Sequence, residues 1–366
     1  MRVLFDHQTF STQKYGGISR YFFNLNAGLN ASPGVSSNIA TLYSENEYLK
    51  NSAIPLNNGL GKKLFKGHNN RIYRWNRRYS AYKIRQGKFD VFHPTYYDPY
   101  FIGDLKKPFV LTVHDMIHEL MTDQFTDNNN VIAQKKLLIT KADAVIAISN
   151  HTKNDILKYY PEAASKITVI HHGYQFSQQG TAAQLTLPKK YLLFVGERYF
   201  YKNFTGFVEA VAPLLNEDKG LHVICAGGGK ITAAEQELFA RLNITAQIQQ
   251  ISATDAELHQ LYQQATVFVF PSLSEGFGFP LLEAFTAGCP VAASNNSCFP
   301  EIGGNAVTYF DPHHADSMHK AVEVLLNDGP MRIDLVKKGK ERLKIFTIEK
   351  QVHETLDLYQ KICTAQ

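Results

Sequence analysis

Twice along this chain, short runs rich in β-branched and aromatic residues alternate with stretches of helical period, a grammar that admits few folds. The first series places strands at residues 3–5, 38–42, 91–93, 110–113 and 144–148, with an amphipathic stretch at 19–29. The second places them at 191–195, 221–226, 248–251, 267–270 and 290–293, separated by helical segments at 203–215, 232–242, 255–264, 280–287 and 316–326. Such alternation builds α/β, doubly wound parallel sheets, which bind ligands at the carboxyl ends of their strands. At 366 residues the chain exceeds what one core serves, so two domains of about 150 to 200 residues each are expected. A polar, Gln-rich linker near residues 175–188 separates them. The final helical stretch, 348–362, carries Val352, Leu356, Tyr359 and Ile362 at a spacing that gives one buried face.

Composition removes several alternatives. The apolar run at the start is three residues long and meets Asp6, which reads as a strand rather than a leader. No later stretch approaches the ~20 apolar residues of a membrane span. Four cysteines without metal or disulfide spacing make a reducing cytoplasm the expected compartment. Charge is uneven: residues 1–175 hold 22 Lys and Arg against 13 Asp and Glu, and the remainder 16 against 20. Ten of those basic residues and no acid lie between Lys62 and Lys88. There Ile72, Trp75, Tyr79 and Tyr82 form a stripe flanked by Arg71, Arg74, Arg78 and Arg85, either packed in a core or laid on an anionic membrane.

The most informative segment runs Phe270-Pro-Ser-Leu-Ser-Glu275-Gly276-Phe277-Gly278-Phe-Pro280-Leu-Leu-Glu283. A strand ends, a glycine-containing loop follows, and Pro280 suits the first position of a helix whose free amides then form an anion site. Glu275 falls in that loop and Glu283 in the first helical turn, so that both carboxylates reach one pocket, and a sugar diphosphate fits between them. A solvated turn with acids near a helix start would account for this segment alone. It would not account for Gly196-Glu-Arg198-Tyr-Phe-Tyr-Lys202-Asn203, which sets two cations just after the first strand of the same domain.

With those residues in place, the chain resembles the family-4 retaining glycosyltransferases of the bacterial surface-polysaccharide type. The pair Glu275 and Glu283 is similar to the family's Glu-x7-Glu motif, and Arg198 with Lys202 to its phosphate-binding pair. Gly16-Gly17-Ile-Ser-Arg20 resembles its N-terminal glycine loop, Thr112-Val-His114-Asp115 its histidine motif and Ala147-Ile-Ser149 its serine strand. Ala226-Gly227-Gly-Gly229 and Pro300-Glu301-Ile-Gly303 match its glycine turn and late Pro-Glu motif, so the resemblance spans nearly the whole chain.

The resemblance implies a GT-B fold, in which two Rossmann-like domains face a central cleft. Residues 1–175 would bind the acceptor, 188–345 the nucleotide sugar, and 346–366 would cross back to the first domain. Arg198 and Lys202 would neutralise the leaving diphosphate, Glu275 would hold hydroxyls of the donor sugar and Glu283 the ribose, with His114 near the transferred sugar. Gly16, Gly17, Ser149, Gly227, Ile251, Gly276, Phe277 and Gly278 would line the donor. The donor is expected to be a UDP or GDP sugar and the acceptor a saccharide or lipid-linked saccharide at the inner face of the cell membrane. No Asp-x-Asp occurs, so no metal or other cofactor is expected. A sugar-nucleotide hydrolase or epimerase on the same fold is the alternative. An NAD enzyme lacks its Gly-x-Gly-x-x-Gly here, and nucleic acid is not an expected partner, because the phosphate cations lie in the acidic half.

Overall fold

A computed structural model of the chain describes residues 1–124, 128–175, 185–198 and 200–364. It divides into two compact units, Met1–Gly173 with Thr347–Gln366, and Tyr174–Phe346. Of the expected linker, residues 176–184 lie outside the described part.

Six strands order the first unit: β1 (Arg2–Phe5), β2 (Ser36–Ile39), β3 (Val91–His93), β4 (Val110–Val113), β5 (Ala144–Ala147) and β6 (Ile167–Val169). They pair in parallel as β2-β1-β3 and β4-β5-β6. The bridge Phe92–Phe109 and a bond from the Phe92 N–H to the Pro108 carbonyl at 3.0 Å join β3 to the entry of β4. The strand expected at 38–42 sits earlier, because the N–H groups of Leu42 and Tyr43 donate to the Asn76 side chain instead of to a neighbouring strand.

The second unit holds β7 (Lys190–Val195), β8 (Leu221–Ala226), β9 (Ile248–Ile251), β10 (Val267–Phe270), β11 (Val291–Ser294) and β12 (Thr308–Phe310). Its single parallel sheet has the order β12-β11-β10-β7-β8-β9. The direction of winding reverses between β7 and β10, the place where doubly wound sheets open a crevice for ligands. Strands β6 and β12 and the helix Gly329–Leu343 are not apparent in the sequence pattern. The two strands have three residues each, and the helix carries five basic residues that mask its thin apolar stripe.

The helix Asn69–Gln86 settles where the aromatic stripe goes. It buries Ile72, Asn76, Ser80 and Ile84, four residues apart each time, with Ser80 donating to the Ala40 carbonyl at 2.6 Å. Trp75 and Tyr82 are 46% and 51% exposed, and Arg78 lies over the Trp75 ring. Only Ile72 of the stripe belongs to the core; Leu60 and Leu64, on the preceding helix Gly59–Phe65, are also exposed.

The terminal helix Ile348–Thr364 belongs to the first unit. Val352, Leu358 and Tyr359 share a core with Phe5, Phe22, Leu25 and Ile146, each side chain contributing about 1.5–3 kcal/mol on burial. The Tyr359 hydroxyl meets His93 Nδ1 at 2.6 Å, and Gln351 accepts the Gly173 N–H at 2.6 Å. Packing on the helix Gly17–Ala31 is tight enough that a Cβ on Gly28 would lie 2.4 Å from Val352 Cγ2. Gly28→Ala should therefore lower stability by about 1–3 kcal/mol through overpacking. Urea unfolding checks this, and Gly28→Ala with Val352→Ala should regain part of the loss. Undiminished stability in the single variant would show that the contact is not tight.

Candidate active site

In the second unit the loop leaving β7 runs between the turns that leave its two neighbours, β8 and β10. Its conformation is unusual before any side chain is considered. Among the described residues, four non-glycine positions take a left-handed φ, and three of them, Phe200, Asn203 and Ser297, belong to the loops of this site. Such backbone persists where surrounding contacts enforce it, which is characteristic of functional loops.

Lys202 reaches toward the β10 side. Its Nζ donates to Glu275 Oε1 at 2.7 Å, in a half-buried ion pair. Glu275 is placed by its own backbone: its N–H donates to Ser297 Oγ at 2.9 Å, and that hydroxyl donates to the Glu275 carbonyl at 2.6 Å. The Leu273 N–H donates to the Tyr201 carbonyl at 2.6 Å, tying the β10 loop to the β7 loop beside the ion pair. Gly278, at φ 87°, then opens the helix Phe279–Ala287, whose first turn includes Pro280. A side chain at that φ would be strained, so glycine is required. The helix starts one residue before Pro280, and Glu283 is its fifth residue, in the second turn rather than the first. There it accepts from the Tyr262 hydroxyl at 3.3 Å.

Arg198 turns the other way, toward β8. Its guanidinium, which the resemblance assigns to the diphosphate, is here engaged by the chain itself. Nε and Nη2 donate to the Glu235 carboxylate at 2.7 and 3.3 Å, Nη1 to the carbonyls of Gly227 and Gly229 at 2.9 and 3.1 Å, and Nη2 to the carbonyl of Lys230 at 2.9 Å. All five N–H groups of the guanidinium are thereby engaged. Glu235 ionises more readily than an ordinary carboxylate: burial works against its charge, but the bonds from Arg198 and Thr232 outweigh that.

Other expected donor residues have internal tasks. Phe277 is buried and packs on Phe279 and Phe346, with ring centroids at 5.5 and 5.7 Å. Ser149, in the first unit, is fully buried as the N-cap of the helix Asn150–Tyr159, accepting the Thr152 N–H at 3.0 Å. The Ile251 carbonyl accepts the Gly227 N–H at 3.1 Å, joining two positions expected near the nucleotide. Gly276 is buried in the loop that carries Glu275. Gly16 caps the helix that begins at Gly17, and a Cβ there would lie 2.4 Å from Gln13 Oε1, the end of a side chain that would have to shift.

His114 follows β4 in the first unit, its ring stacked on His172 at 5.7 Å and met edge-on by Tyr21. Burial, more than the opposing charge of Asp115 or the reinforcing one of Lys135, lowers its pKa to about 4. The neutral ring keeps a buried Nε2 without a hydrogen-bond partner among the described residues. An orphaned polar atom of this kind calls for a ligand or water. Sequence reasoning missed Glu235 and Ser297. The pattern Thr232-x-x-Glu235 does announce a capping box, which the structure contains, but nothing in it announces the bond to Arg198. Ser297 has no sequence signal.

Two family models match the chain in tandem: Glycosyltransferase Family 4 over residues 15–178 and Glycosyl transferases group 1 over 180–342. The chain is 26% identical over 299 residues to the O-antigen chain mannosyltransferase B of Escherichia coli, covering 77% of both chains. It is 26% identical over 214 residues to the O-antigen chain mannosyltransferase RfbU of Salmonella typhimurium, covering 58% of this chain and 59% of that one. Among solved structures, sucrose-phosphate synthase from Thermosynechococcus elongatus superposes with a TM-score of 0.75 at 20% identity, covering 100% and 99% of the two chains. The Anabaena protein HepE, solved with UDP and glucose, superposes with a TM-score of 0.69 at 16% identity, covering 97% and 99%.

The buried histidines should be visible in the acid stability of the protein. His114 titrates at about 4, and His93, held between Tyr359 and Thr112, at about 3, against 6.5 when unfolded. Between those values the unfolded chain binds protons that the folded one refuses, so stability falls as pH drops from about 6.5 toward 4. Chemical unfolding at a series of pH values should show a shallower decline in His93→Gln. An unchanged slope would mean that His93 does not stay neutral in the folded unit.

Proposed function

Taking the chain for what its two tandem matches make it, a family-4 glycosyltransferase of the GT-B fold, we propose that it moves a hexose from a nucleotide sugar to a saccharide or lipid-linked saccharide during surface-polysaccharide assembly. Transfer retains the anomeric configuration and needs no metal. Mannose from a GDP donor is the first choice, since related enzymes from Escherichia coli and Salmonella typhimurium bear the name of O-antigen mannosyltransferases; UDP-hexoses come next.

The observation that carries this reading is the Lys202–Glu275 pair beside the start of the helix Phe279–Ala287. Without donor the two charges neutralise each other. An arriving donor offers each a better partner: the diphosphate takes the ammonium, and the sugar hydroxyls take the carboxylate, so neither charge is left uncompensated. As the glycosidic bond breaks, negative charge grows on the departing phosphate, where Lys202 and the helix amides stabilise it. The acceptor attacks from the face the phosphate leaves, and the phosphate takes the acceptor proton. Glu275 positions and stabilises rather than forming a covalent adduct, Glu283 holds the ribose, and neutral His114 is the first unit's hydrogen-bonding group for substrate.

The exposed strip of the helix Asn69–Gln86, with Arg71, Arg74, Trp75, Arg78 and Tyr82, is the surface we assign to an anionic membrane that presents a lipid-linked acceptor at the cytoplasmic face. Among the described residues no helix is long and apolar enough to cross a membrane.

A panel of GDP, UDP and dTDP hexoses, assayed with EDTA present, should yield turnover with one donor. Lys202→Ala and Glu275→Ala should each lower kcat/KM by about 100-fold or more. Near-normal turnover of Glu275→Ala would sink the assignment of this pair as the site, and an isolated glycosyl adduct on Glu275 would replace the same-face mechanism. In flotation with anionic liposomes, Arg74→Gln with Arg78→Gln should reduce the bound fraction, and binding indifferent to both would remove the membrane role of this helix.

A further inference from the structure

Lys135 is the one lysine among the described residues whose side chain is 0% exposed. It stands in the helix Asn128–Lys141, one turn before the core residues Leu138 and Ile139. Its Nζ donates to Glu119 Oε2 at 2.8 Å and to the Asp115 carbonyl at 3.1 Å, and lies 5.2 Å from the centre of the Tyr97 ring. Glu119 is as deep, its side chain 2% exposed, and its Oε1 finds no hydrogen-bond partner among the described residues. Taking two charges out of water is expensive, and a pair that leaves one oxygen unsatisfied recovers less of that cost than packed apolar side chains avoid. Stability alone does not account for such a pair.

The contacts of the ammonium converge on the backbone around His114. Strand β4 ends at Val113, so from His114 onward no strand ladder holds the chain. Tyr97, buried under the ammonium, accepts the His114 N–H at its hydroxyl, 3.2 Å away. On the other side of the histidine the Asp115 carbonyl goes to Lys135, while the Asp115 carboxylate accepts the Ile117 N–H at 3.1 Å. Glu119 lies in the short helix Ile117–Leu120 that follows, and its carbonyl accepts the Tyr159 hydroxyl at 3.0 Å. One cation thus gathers the acceptor of the His114 amide, the carbonyl of the next residue and the helix beyond it. The ring framed in this way stacks on His172 and keeps a buried Nε2 without a partner among the described residues.

We propose that Lys135 and Glu119 are positioning residues of sugar transfer: neither reaches solvent, but by fixing Tyr97 and the Asp115 carbonyl they set the angle at which His114 offers Nε2 to substrate. This rests on the reading of His114 as a substrate-binding group for its effect on turnover, and on geometry alone for the framing of the histidine. A displacement of about 1 Å in a group that orients substrate costs roughly 100-fold in rate, so a pair that folding does not need can still govern catalysis.

Replacing both charges at once separates position from stability. In Lys135→Met with Glu119→Leu no charge is stranded and the buried space stays filled, so the urea midpoint should remain at or above that of the wild type. In the full chain without donor, the His114 amide should nevertheless exchange its hydrogen about tenfold or more faster, because Tyr97 has lost the cation above it. With whichever hexose donor supports turnover, kcat should fall about tenfold or more while the donor KM moves about threefold at most. Native exchange at His114, or undiminished kcat, in the stable double variant would overturn the proposal.

Coupling shows whether His114 is the route. Added to His114→Gln, the same double replacement should cost about twofold or less, since the ring it positions is already gone. A further loss of about tenfold there would refute the proposal, because the pair would then act through another group. If the double variant does not fold, Tyr97→Phe decides: it keeps the ring under the ammonium, removes the acceptor of the His114 N–H and should lower kcat about tenfold, and wild-type kcat would overturn the proposal. Absence of transfer by the wild type from every donor would count against the proposed function, while exchange at His114 would still decide whether the pair frames the histidine.

Discussion

Strand β7 sits at the switch of the second sheet, with β8 on one side and β10 on the other, so the loop leaving it must pass between the turns that leave both neighbours. Everything distinctive about the site follows from this position. One short loop addresses two turns: Arg198 goes to the glycine turn after β8, and Lys202 to the glutamate loop after β10. The cost is backbone that few residues adopt, at Phe200 and Asn203 in the loop and at Ser297 opposite it. Asn203, for example, donates its side chain to the Pro312 carbonyl at 2.9 Å, holding the entry to the helix Phe204–Glu217.

The two cations meet their partners in ways that their chemistry explains. A guanidinium has five donors in a rigid plane, so it can gather several carbonyls and a carboxylate into one fixed arrangement. An ammonium on a flexible stem concentrates its charge at one atom and exchanges partners readily. The first unit applies a related division. Lys135, fully buried, donates to Glu119 at 2.8 Å and to the Asp115 carbonyl at 3.1 Å, bracing the turn that follows His114. The histidine itself is kept uncharged by burial.

The alternation of strand and helix was legible because buried parallel strands read as uninterrupted apolar runs, as in residues 267–270 and 191–195. Three-residue edge strands such as β6 and β12 carry too little signal, and the basic helix Gly329–Leu343 too little apolar stripe. The glutamates and cations of the site could be picked out by residue type and spacing. Their partners could not, because pairing is a tertiary fact. Arg198 meets Glu235 across 37 positions of sequence and Glu275 meets Ser297 across 22, and no local pattern announces either pairing. Phe277 and Ser149 each stand in a ligand-like motif and also pack or cap, tasks that the motif itself does not announce.

The central claim is that the Lys202–Glu275 ion pair opens to receive a nucleotide-sugar donor. Nitrogen-detected NMR of the lysine Nζ groups follows this during titration with the nucleoside diphosphate of whichever hexose donor supports turnover. The account predicts that the Lys202 Nζ signal moves as it leaves Glu275 for the phosphate. A saturating titration that leaves the Lys202 Nζ signal unmoved would contradict the account.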